Sequence, residues 1–244
     1  MAVFKPPKNS LLHIEVINEI INAIVSGVLK PGDRIIEQHI AEEMQISRAP
    51  VREAIRELVA HDILQFLPRK GAYIAPLEPQ GIKDVYLLRS SLEGLAARLA
   101  ATRLSSADLV ELYHLNGKME KATHENDATA FVECDLAFHD LICQKCGHAR
   151  LVKIIEGVRI QTRLYMVMSK WHLVAHSQLN REMNAHLPIL DAFKNRNEAE
   201  AEMEMRKHIL SAADLLLEYM NLEKRSKSDR EEVSSSGDLL KFSS

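Results

Sequence analysis

Hydrophobic positions recur at helical spacing in two short neighbouring segments near the N-terminus. The first segment forms one apolar face from Ile36, Ile40, Ala41 and Met44. The second forms another from Val51, Ile55 and Leu58. Between them Gln45 and Ile46 turn the chain, Ser47 stands where a side chain can cap a helix, and Pro50 falls in the first helical turn. The pattern predicts a helix, a tight turn and a second helix.

An amphipathic helix over residues 12–26 precedes this pair, and a short hairpin follows it. Two apolar runs, 65–67 and 72–75, flank a basic tip at 68–71. A helix-turn-helix followed by such a hairpin predicts a winged helix-turn-helix domain over residues 10–77.

Three arginines follow one another at four-residue steps on the second helix of the pair. Arg48, Arg52 and Arg56 therefore form one stripe. A helix-turn-helix presents its second helix to the DNA major groove, where arginine reads guanine through two hydrogen bonds. The stripe favours sequence-specific DNA binding. The alternative is a solvated helix face on which Glu53 and Glu57 pair with the arginines.

Beyond residue 77 the pattern changes to long segments with a period of 3.6 residues and no alternation typical of strands. Six helices are predicted there: 79–103, 106–124, 127–146, 148–171, 175–195 and 197–224. Ser105 and Asp127 are start signals, and Gly147 is a stop signal. The predicted fold class is mostly α, with an N-terminal winged helix-turn-helix and a C-terminal six-helix antiparallel bundle.

The domain boundaries follow from these changes in pattern. A polar stretch over residues 1–9 predicts a flexible N-terminus, and 10–77 is the DNA-binding domain. Residues 78–225 are a second, all-helical domain. The polar, Ser-rich end, 226–244, predicts a disordered tail.

Composition narrows the class of protein without naming it. The net charge is −3, and residues 1–77 carry nine Lys/Arg and nine Asp/Glu, so DNA binding depends on where the arginines stand. Three cysteines, an odd number, argue against a disulfide framework and indicate a reducing cytoplasm. No apolar run approaches the roughly 18 residues of a membrane span, and no signal-peptide pattern is found.

A second constellation consists of Asp135, His139, His186 and His208. Asp135 and His139 lie four residues apart and share a helix face that also carries Phe131. Burying four unpaired polar groups is costly, so a common partner is expected. Three imidazoles and one carboxylate suit a divalent transition metal, zinc first, with nickel, iron or manganese as alternatives. The other interpretation is four buried groups satisfied by neighbours or water.

The cluster of Cys143, Cys146 and His148 suggests a zinc or redox site at first sight. It has no second pair of ligands at metal-binding spacing. We therefore expect both cysteines to pack as small apolar groups near a helix end.

Three segments carry a family resemblance: 27–32 (GVLKPG), 47–55 (SRAPVREAI) and 68–71 (PRKG). With them the chain resembles the GntR family of bacterial transcription regulators, in its FadR-like branch. Its C-terminal half resembles the ligand-binding FCD domain of that branch, in the VanR-like form. The two resemblances cover about residues 10–224. One departure is Gln45, where the family commonly has glycine.

The resemblance implies a homodimer, most simply a repressor, that binds double-stranded operator DNA and responds to a small carboxylate effector. Carried over by position, the residues at the DNA are Arg34, Ser47, Arg48, Arg52, Arg56, Lys70 and Gly71. Arg48 and Arg52 would contact the operator, with Ser47 and Arg56 at phosphates. Gly71 would let the wing come close to the minor groove.

The resemblance also implies that Asp135 and the three histidines form a metal motif with coordination positions open to the effector carboxylate. Arg89, and more weakly Arg163, would bind the same carboxylate. For Arg89 the alternative is an ion pair with Glu93 on the helix surface.

Two other classes of function stay open at this point. A helical metal-dependent hydrolase could activate water at the Asp/His group, but no general base stands at a fixed spacing from it and the N-terminal domain would have no purpose. A helical interaction protein that recruits partners through its tail is the other. Neither is favoured, so no enzyme activity is expected.

Overall fold

The computed structural model of the chain describes residues 12–26, 28–76, 78–175 and 185–238. The N-terminal elements are α1 (Leu12–Val25), β1 (Arg34–Ile35), α2 (Glu37–Glu43), α3 (Arg48–Ala60), β2 (Leu64–Leu67) and β3 (Gly71–Ile74). The strands form one antiparallel sheet in the order β1-β3-β2. This arrangement confirms the predicted winged helix-turn-helix.

The apolar core of this part lies where α1, α3 and the sheet meet. Its members follow the helical and strand periodicities and include Val16, Ile20, Val51, Leu58 and Ile74. Val16, Val51 and Leu58 are fully buried. The short β1 strand was not predicted, because two residues are too few to show an alternating pattern. It forms because Arg34 and Ile35 pair with β3.

The turn between α2 and α3 requires a left-handed residue. Gln45 has φ of +54°, where the side chain of an L-residue crowds the backbone at a cost of roughly 1–2 kcal/mol. The position thus has the geometry that suits the glycine of the family pattern. Ser47 does stand at the N-cap of α3, but its side chain accepts no capping hydrogen bond, so the prediction of a Ser47 cap is wrong.

The remaining elements are α4 (Pro79–Ala100), α5 (Ser106–His124), α6 (Ala128–Lys145), α7 (Ala149–Ala175), α8 (Leu187–Lys194) and α9 (Glu198–Asp238). The start signals act as predicted, because Ser105 forms a reciprocal capping box with Asp108 and Asp127 accepts a hydrogen bond from the Ala130 N–H. Gly147, with φ of +71°, follows the end of α6. Among the described residues the mostly helical fold class is confirmed.

Two boundaries need correction. The helix predicted over 175–195 is found only as α8, and residues 176–184 lie outside the described part of the chain. Pro188 stands in the first turn of α8. Proline lacks an N–H and is tolerated in a helix only in this first turn, so its position explains why the helix begins here. The disordered tail predicted from residue 226 is wrong as far as Asp238, because α9 continues to that residue. Lys, Arg and Glu extend an existing helix readily.

The chain divides into two compact units. Unit 1 comprises residues 1–78 and 156–168, and unit 2 comprises 79–155 and 169–244. The middle of α7 thus belongs to unit 1, where Leu164 joins the apolar core. A division of the sequence into consecutive domains misses this segment, because packing between distant parts of a chain leaves no local pattern.

In unit 2, α4 packs against α6 and α9, and α5 packs against α6. This packing brings side chains from three helices to the interior of the unit. Within the described residues, no helix has the length and apolar character needed to cross a membrane.

Replacing Gln45 by Gly should raise the free energy of unfolding by about 0.5–1 kcal/mol. Glycine relieves the left-handed strain, and its greater freedom in the unfolded chain offsets only part of that gain. Urea denaturation followed by circular dichroism measures the change. Glu19→Gly, at an exposed position inside α1, is the control and should lower stability by about 1 kcal/mol. Destabilisation by both substitutions would show that the turn is not strained.

Candidate functional site

Helix α3 separates an apolar face from an arginine-bearing face. Val51 and Leu58 on the inner face are fully buried. On the opposite face Arg48, Arg52 and Arg56 are exposed, and the side chains of Arg48 and Arg52 keep 58% and 51% of their accessible surface. The four-residue spacing predicts this separation, and the helix accordingly presents a row of guanidinium groups outward.

Glu37, in the first turn of α2, pairs with two of these arginines. Its Oε2 lies 3.4 Å from Arg48 Nη2 and 3.4 Å from Arg52 Nε. The alternative predicted from sequence named Glu53 and Glu57 as partners, and the contacts found in the described residues involve Glu37 instead. Exposed ion pairs of this kind contribute about 0–1 kcal/mol, so the arginines stay available to another anion.

The wing brings together three further residues that the sequence selects. Arg34 stands on β1, next to β3, and its guanidinium lies 3.7 Å from where a Cβ on Gly71 would be. Gly71 has φ of +101°, a conformation that favours glycine. Lys70 and Ser47 are exposed. Arg34, Lys70 and Gly71 thus form one basic edge.

The four predicted metal-binding residues meet inside unit 2. Asp135 and His139 lie on α6, His186 directly precedes α8, and His208 lies on α9, with all four candidate ligand atoms within 4.8 Å of one another. His139 Nε2 is 3.3 Å from His208 Nε2, and His186 Nε2 is 3.0 Å from Asp135 Oδ1. The i,i+4 spacing on α6 explains one pair. The meeting with His186 and His208 is set by packing.

The environment of His208 favours a neutral imidazole with an available lone pair. Asp135, His139 and His186 are at most 5% exposed. Burial, followed by the neighbouring His186 and His139, holds the pKa of His208 well below its ordinary value. Three imidazole nitrogens and one carboxylate oxygen converging in a largely buried place form a donor set that zinc and similar divalent metals accept. The residues present therefore fit such an ion.

Glu93 is a member of this site that the sequence reasoning missed. Its Oε2 lies 2.6 Å from His139 Nδ1, and its Oε1 accepts a 2.8 Å hydrogen bond from Arg89 Nε. Burial raises the pKa of Glu93, but the Arg89 guanidinium and His139 outweigh burial and lower it to about 2. Glu93 lies on the inward face of α4 with Tyr86 and Ala97, and this periodicity was the available signal.

Arg89 and Arg163, the two arginines predicted to bind the effector, lie in different units and have different partners. Arg89 does pair with Glu93, as the alternative held, but both side chains are buried, at 5% and 7% exposure, instead of lying on the surface. Arg163 belongs to unit 1, where its Nη2 lies 3.4 Å from Asn22 Oδ1 on α1. The structure does not place Arg163 in the unit that holds the candidate metal ligands.

The cysteines near the end of α6 pack as the sequence predicts. Cys143 and Cys146 are buried in an apolar cluster with Ala96, Leu151 and Ile155. Burial raises the pKa of the Cys143 thiol, which disfavours the reactive thiolate. This environment is that of a structural thiol pair.

A cavity of about 260 Å³ adjoins the candidate metal ligands on the side of His208. Its lining residues are Ala185, Pro188, Glu204, Lys207, His208, Ser211, Ala212 and Leu215. The cavity holds both apolar surface and polar groups, and it reaches an imidazole of the metal-binding group. A small molecule of a few heavy atoms fits a space of this size.

Comparison with known proteins supports the two-part organisation. A family model described as bacterial regulatory proteins, gntR family, matches residues 12–74, and a model of the FCD domain matches residues 84–211. The chain is 25% identical over 209 residues to the HTH-type transcriptional regulator YdhC of Bacillus subtilis strain 168, covering 85% of this chain and 92% of the relative.

Two further similarities concern Escherichia coli proteins. The chain is 25% identical over 186 residues to the HTH-type transcriptional repressor RspR of strain K12, covering 76% of this chain and 80% of the relative. Among solved structures it is similar to E. coli McbR/YncC, with a TM-score of 0.72 and 22% identity over 85% of this chain and 97% of that one. The structural likeness supports the fold alone.

Proposed function

Because the chain belongs to the GntR family of bacterial transcription regulators, in the group that carries an FCD domain, we propose that it is a cytoplasmic repressor controlled by a small carboxylate. The carboxylate binds at a divalent metal held by unit 2. One observation carries this proposal: four metal-binding side chains converge in a chain whose other unit exposes an arginine-bearing recognition helix. The name of RspR as a repressor supports repression.

In this proposal α3 enters the major groove and the wing reaches an adjacent groove. Arg48 and Arg52 contact base edges, and Ser47 and Arg56 contact phosphates. The basic edge of Arg34, Lys70 and Gly71 lies against the neighbouring backbone. The weak pairing with Glu37 keeps two arginines extended without competing strongly with DNA, because exposed pairs are worth about 0–1 kcal/mol and a bidentate guanine contact about 1–3 kcal/mol.

The repressor acts as a homodimer, since paired winged helices read half-sites related by two-fold symmetry. Helix α4 supports a second copy of this chain as its partner. Leu87, Leu88 and Leu95 on its outer face are 57%, 53% and 41% exposed. Apolar side chains grouped in this way on one helix mark an interaction surface. In a symmetric dimer the same apolar face of each copy would be covered by its counterpart.

Arg52→Ala should lower affinity for the operator roughly 5- to 150-fold, the equivalent of the 1–3 kcal/mol of one bidentate guanine contact. The operator is first recovered by selecting bound fragments from genomic DNA. Gel shifts at one fixed salt concentration then compare it with a scrambled duplex. Arg98→Ala is the matched control, because Arg98 is also 52% exposed and paired with a carboxylate.

Sedimentation equilibrium accompanies these gel shifts. Wild type and both variants should be dimers, so that any loss of binding reports the contact itself. An Arg52→Ala protein with unchanged sequence preference would remove Arg52 from the reading set, and a monomeric wild type would refute the dimer.

The metal site uses Asp135, His139, His186 and His208 as ligands, with zinc as the first candidate and nickel, iron or manganese as alternatives. Support comes from the convergence of these four groups and from their burial. When bound, the ion acts as a Lewis acid that attracts a carboxylate oxygen. The protein supplies four donors in a largely dry interior, and coordination positions beyond these four are open to the effector.

Purified protein should contain about one transition-metal ion per chain, as one four-residue cluster implies. The double substitution His139→Ala/His208→Ala should lose it, because two of four ligands disappear. Metal analysis by mass spectrometry after gel filtration measures the content. His114→Ala/His124→Ala, at exposed positions on α5, is the control and should keep the ion. Wild type that neither contains metal nor takes it up on titration contradicts the site.

The effector enters through the cavity beside His208, and its carboxylate binds at the metal. Arg89 takes part through Glu93, since its Nε–H is bonded to that carboxylate and its charge is balanced there. Arg163 is left out, because it bonds to Asn22 in the other unit.

A screen of carboxylic acids by thermal shift should find a compound that raises the melting temperature of metal-loaded protein. At 100 times its dissociation constant such a ligand stabilises by about 2.7 kcal/mol. The same compound should leave the His139→Ala/His208→Ala protein unshifted and should release wild type from its operator. A shift of equal size in both proteins would show that the acid binds elsewhere.

A further inference from the structure

The carboxylate of Glu93 divides its two oxygens between two partners of different kind. Oε1 accepts a 2.8 Å hydrogen bond from Arg89 Nε, and Oε2 lies 2.6 Å from His139 Nδ1. The side chains of Glu93 and His139 are 7% and 6% exposed. Glu93 stands on α4, whereas the candidate metal ligands lie on or beside α6, α8 and α9. Its Oε2 lies against Nδ1 of His139, whereas Nε2 of that ring faces His208, so Glu93 contacts a candidate ligand from behind and is not grouped with the four candidate ligands.

We propose that Glu93 is a positioning residue of the metal site, one that holds the proton of His139 on Nδ1 and so directs the Nε2 lone pair to the cation. This inference rests on the metal site proposed above and adds a residue to it. Glu93 contacts a ligand and not the ion itself.

The geometry of His139 supports this role. A carboxylate oxygen 2.6 Å from Nδ1 repels a lone pair on that nitrogen and attracts a proton, so this contact favours the tautomer that carries the proton on Nδ1. In a neutral imidazole the other nitrogen, Nε2, then carries the lone pair. Nε2 faces the cluster, 3.3 Å from His208 Nε2. With the opposite tautomer, the ring would direct a proton into the space where ligand atoms converge. A carboxylate behind a ligating imidazole also fixes its ring orientation and raises its basicity.

Arg89 explains how a carboxylate can remain charged at this depth. A buried carboxylate without a partner would be expensive to ionise. The guanidinium of Arg89 pairs with it and lies 5.1 Å from the centre of the Tyr86 ring. Arg89, Glu93 and His139 thus form a chain of three groups that crosses from α4 to α6. A purely structural ion pair would need only the first two.

The first experiment measures zinc affinity by competition with a chromophoric chelator. Glu93→Gln should bind zinc 10- to 100-fold more weakly than wild type, the range found when partners of metal ligands are removed. Glu202→Gln is the control, and this variant should bind zinc as wild type does. Glu202 lies on α9, the helix that carries His208, and its partly buried carboxylate pairs with Arg98 of α4.

A second variant separates positioning from charge repulsion. Glu93→Gln leaves Arg89 buried without its partner, which could weaken zinc binding or folding by itself. The double substitution Arg89→Gln/Glu93→Gln removes that charge, and its zinc affinity should stay 10- to 100-fold below wild type. Recovery of wild-type affinity in the double variant would overturn the inference, as would unchanged affinity in Glu93→Gln.

Nitrogen-15 spectra of the histidine rings show which nitrogen of His139 carries the proton. A Glu93 that only stabilised the fold would not affect this proton position. In metal-free wild type His139 should carry its proton on Nδ1, and in an Arg89→Gln/Glu93→Leu variant, which lacks an acceptor at this position, the proton should distribute over both nitrogens. An unprotonated Nδ1 in wild type overturns the inference. If wild type does not take up zinc, the metal site itself is refuted. If wild type and Glu93→Gln bind zinc with the same affinity, only the role of Glu93 is refuted.

Discussion

The burial of ionisable side chains in unit 2 is the constraint on which the candidate site depends. Asp135, His139 and His186 are at most 5% exposed, and Arg89 and Glu93 are equally deep. Groups of this kind leave water only when partners replace it. Arg89 and Glu93 are both on α4, but the contacts of His139 with Glu93 and with His208 join different helices, so these polar contacts also restrict how α4, α6 and α9 can pack. A purely apolar interior would not fix that arrangement as narrowly.

The arginines of unit 1 follow the opposite rule. Arg48 and Arg52 stay half exposed, and their shared contact to Glu37 is long, at 3.4 Å. A pair in water contributes about 0–1 kcal/mol, whereas an Arg pair inside a protein can cost 3–5 kcal/mol to break. Exposed arginines such as Arg48 and Arg52 can therefore leave Glu37 for another anion at little cost in free energy. The buried Arg89–Glu93 pair is suited to a fixed position.

Local spacing explains why so much of the fold could be predicted from the sequence. The two helices of the helix-turn-helix, the capping box at Ser105 and the pairing of Asp135 with His139 on one face all depend on residues within four positions of one another. The one departure from the family pattern, Gln45 in place of glycine, coincides with a left-handed conformation, which glycine adopts more readily. That His186 and His208 meet the α6 residues could be predicted only from the family resemblance and from the need to satisfy buried polar groups.

The features that were missed depend on contacts between distant residues. β1 has only two residues and forms through its pairing with β3. The sequence suggests Glu93 only as a surface partner of Arg89, in the alternative to effector binding, since i,i+4 pairs of opposite charge are usually solvated; tertiary packing puts both side chains inside. Arg163 was assigned to the effector pocket, although the middle of α7 belongs to unit 1. None of these contacts leaves a periodic signal in the chain.

Charge balance at the candidate metal site favours an anion as the additional ligand. The donor set of three neutral imidazoles and one carboxylate carries one negative charge, and metal binding requires the imidazoles in that neutral form. Arg89 and Glu93 cancel each other beside it. A divalent cation would leave one net positive charge in a buried place, where water replaces a counter-ion poorly. A carboxylate at the metal neutralises that charge, and an uncharged ligand of the same shape does not. Because the Arg89–Glu93 pair adds no net charge, the preferred charge of the effector depends on the metal and its four ligands alone.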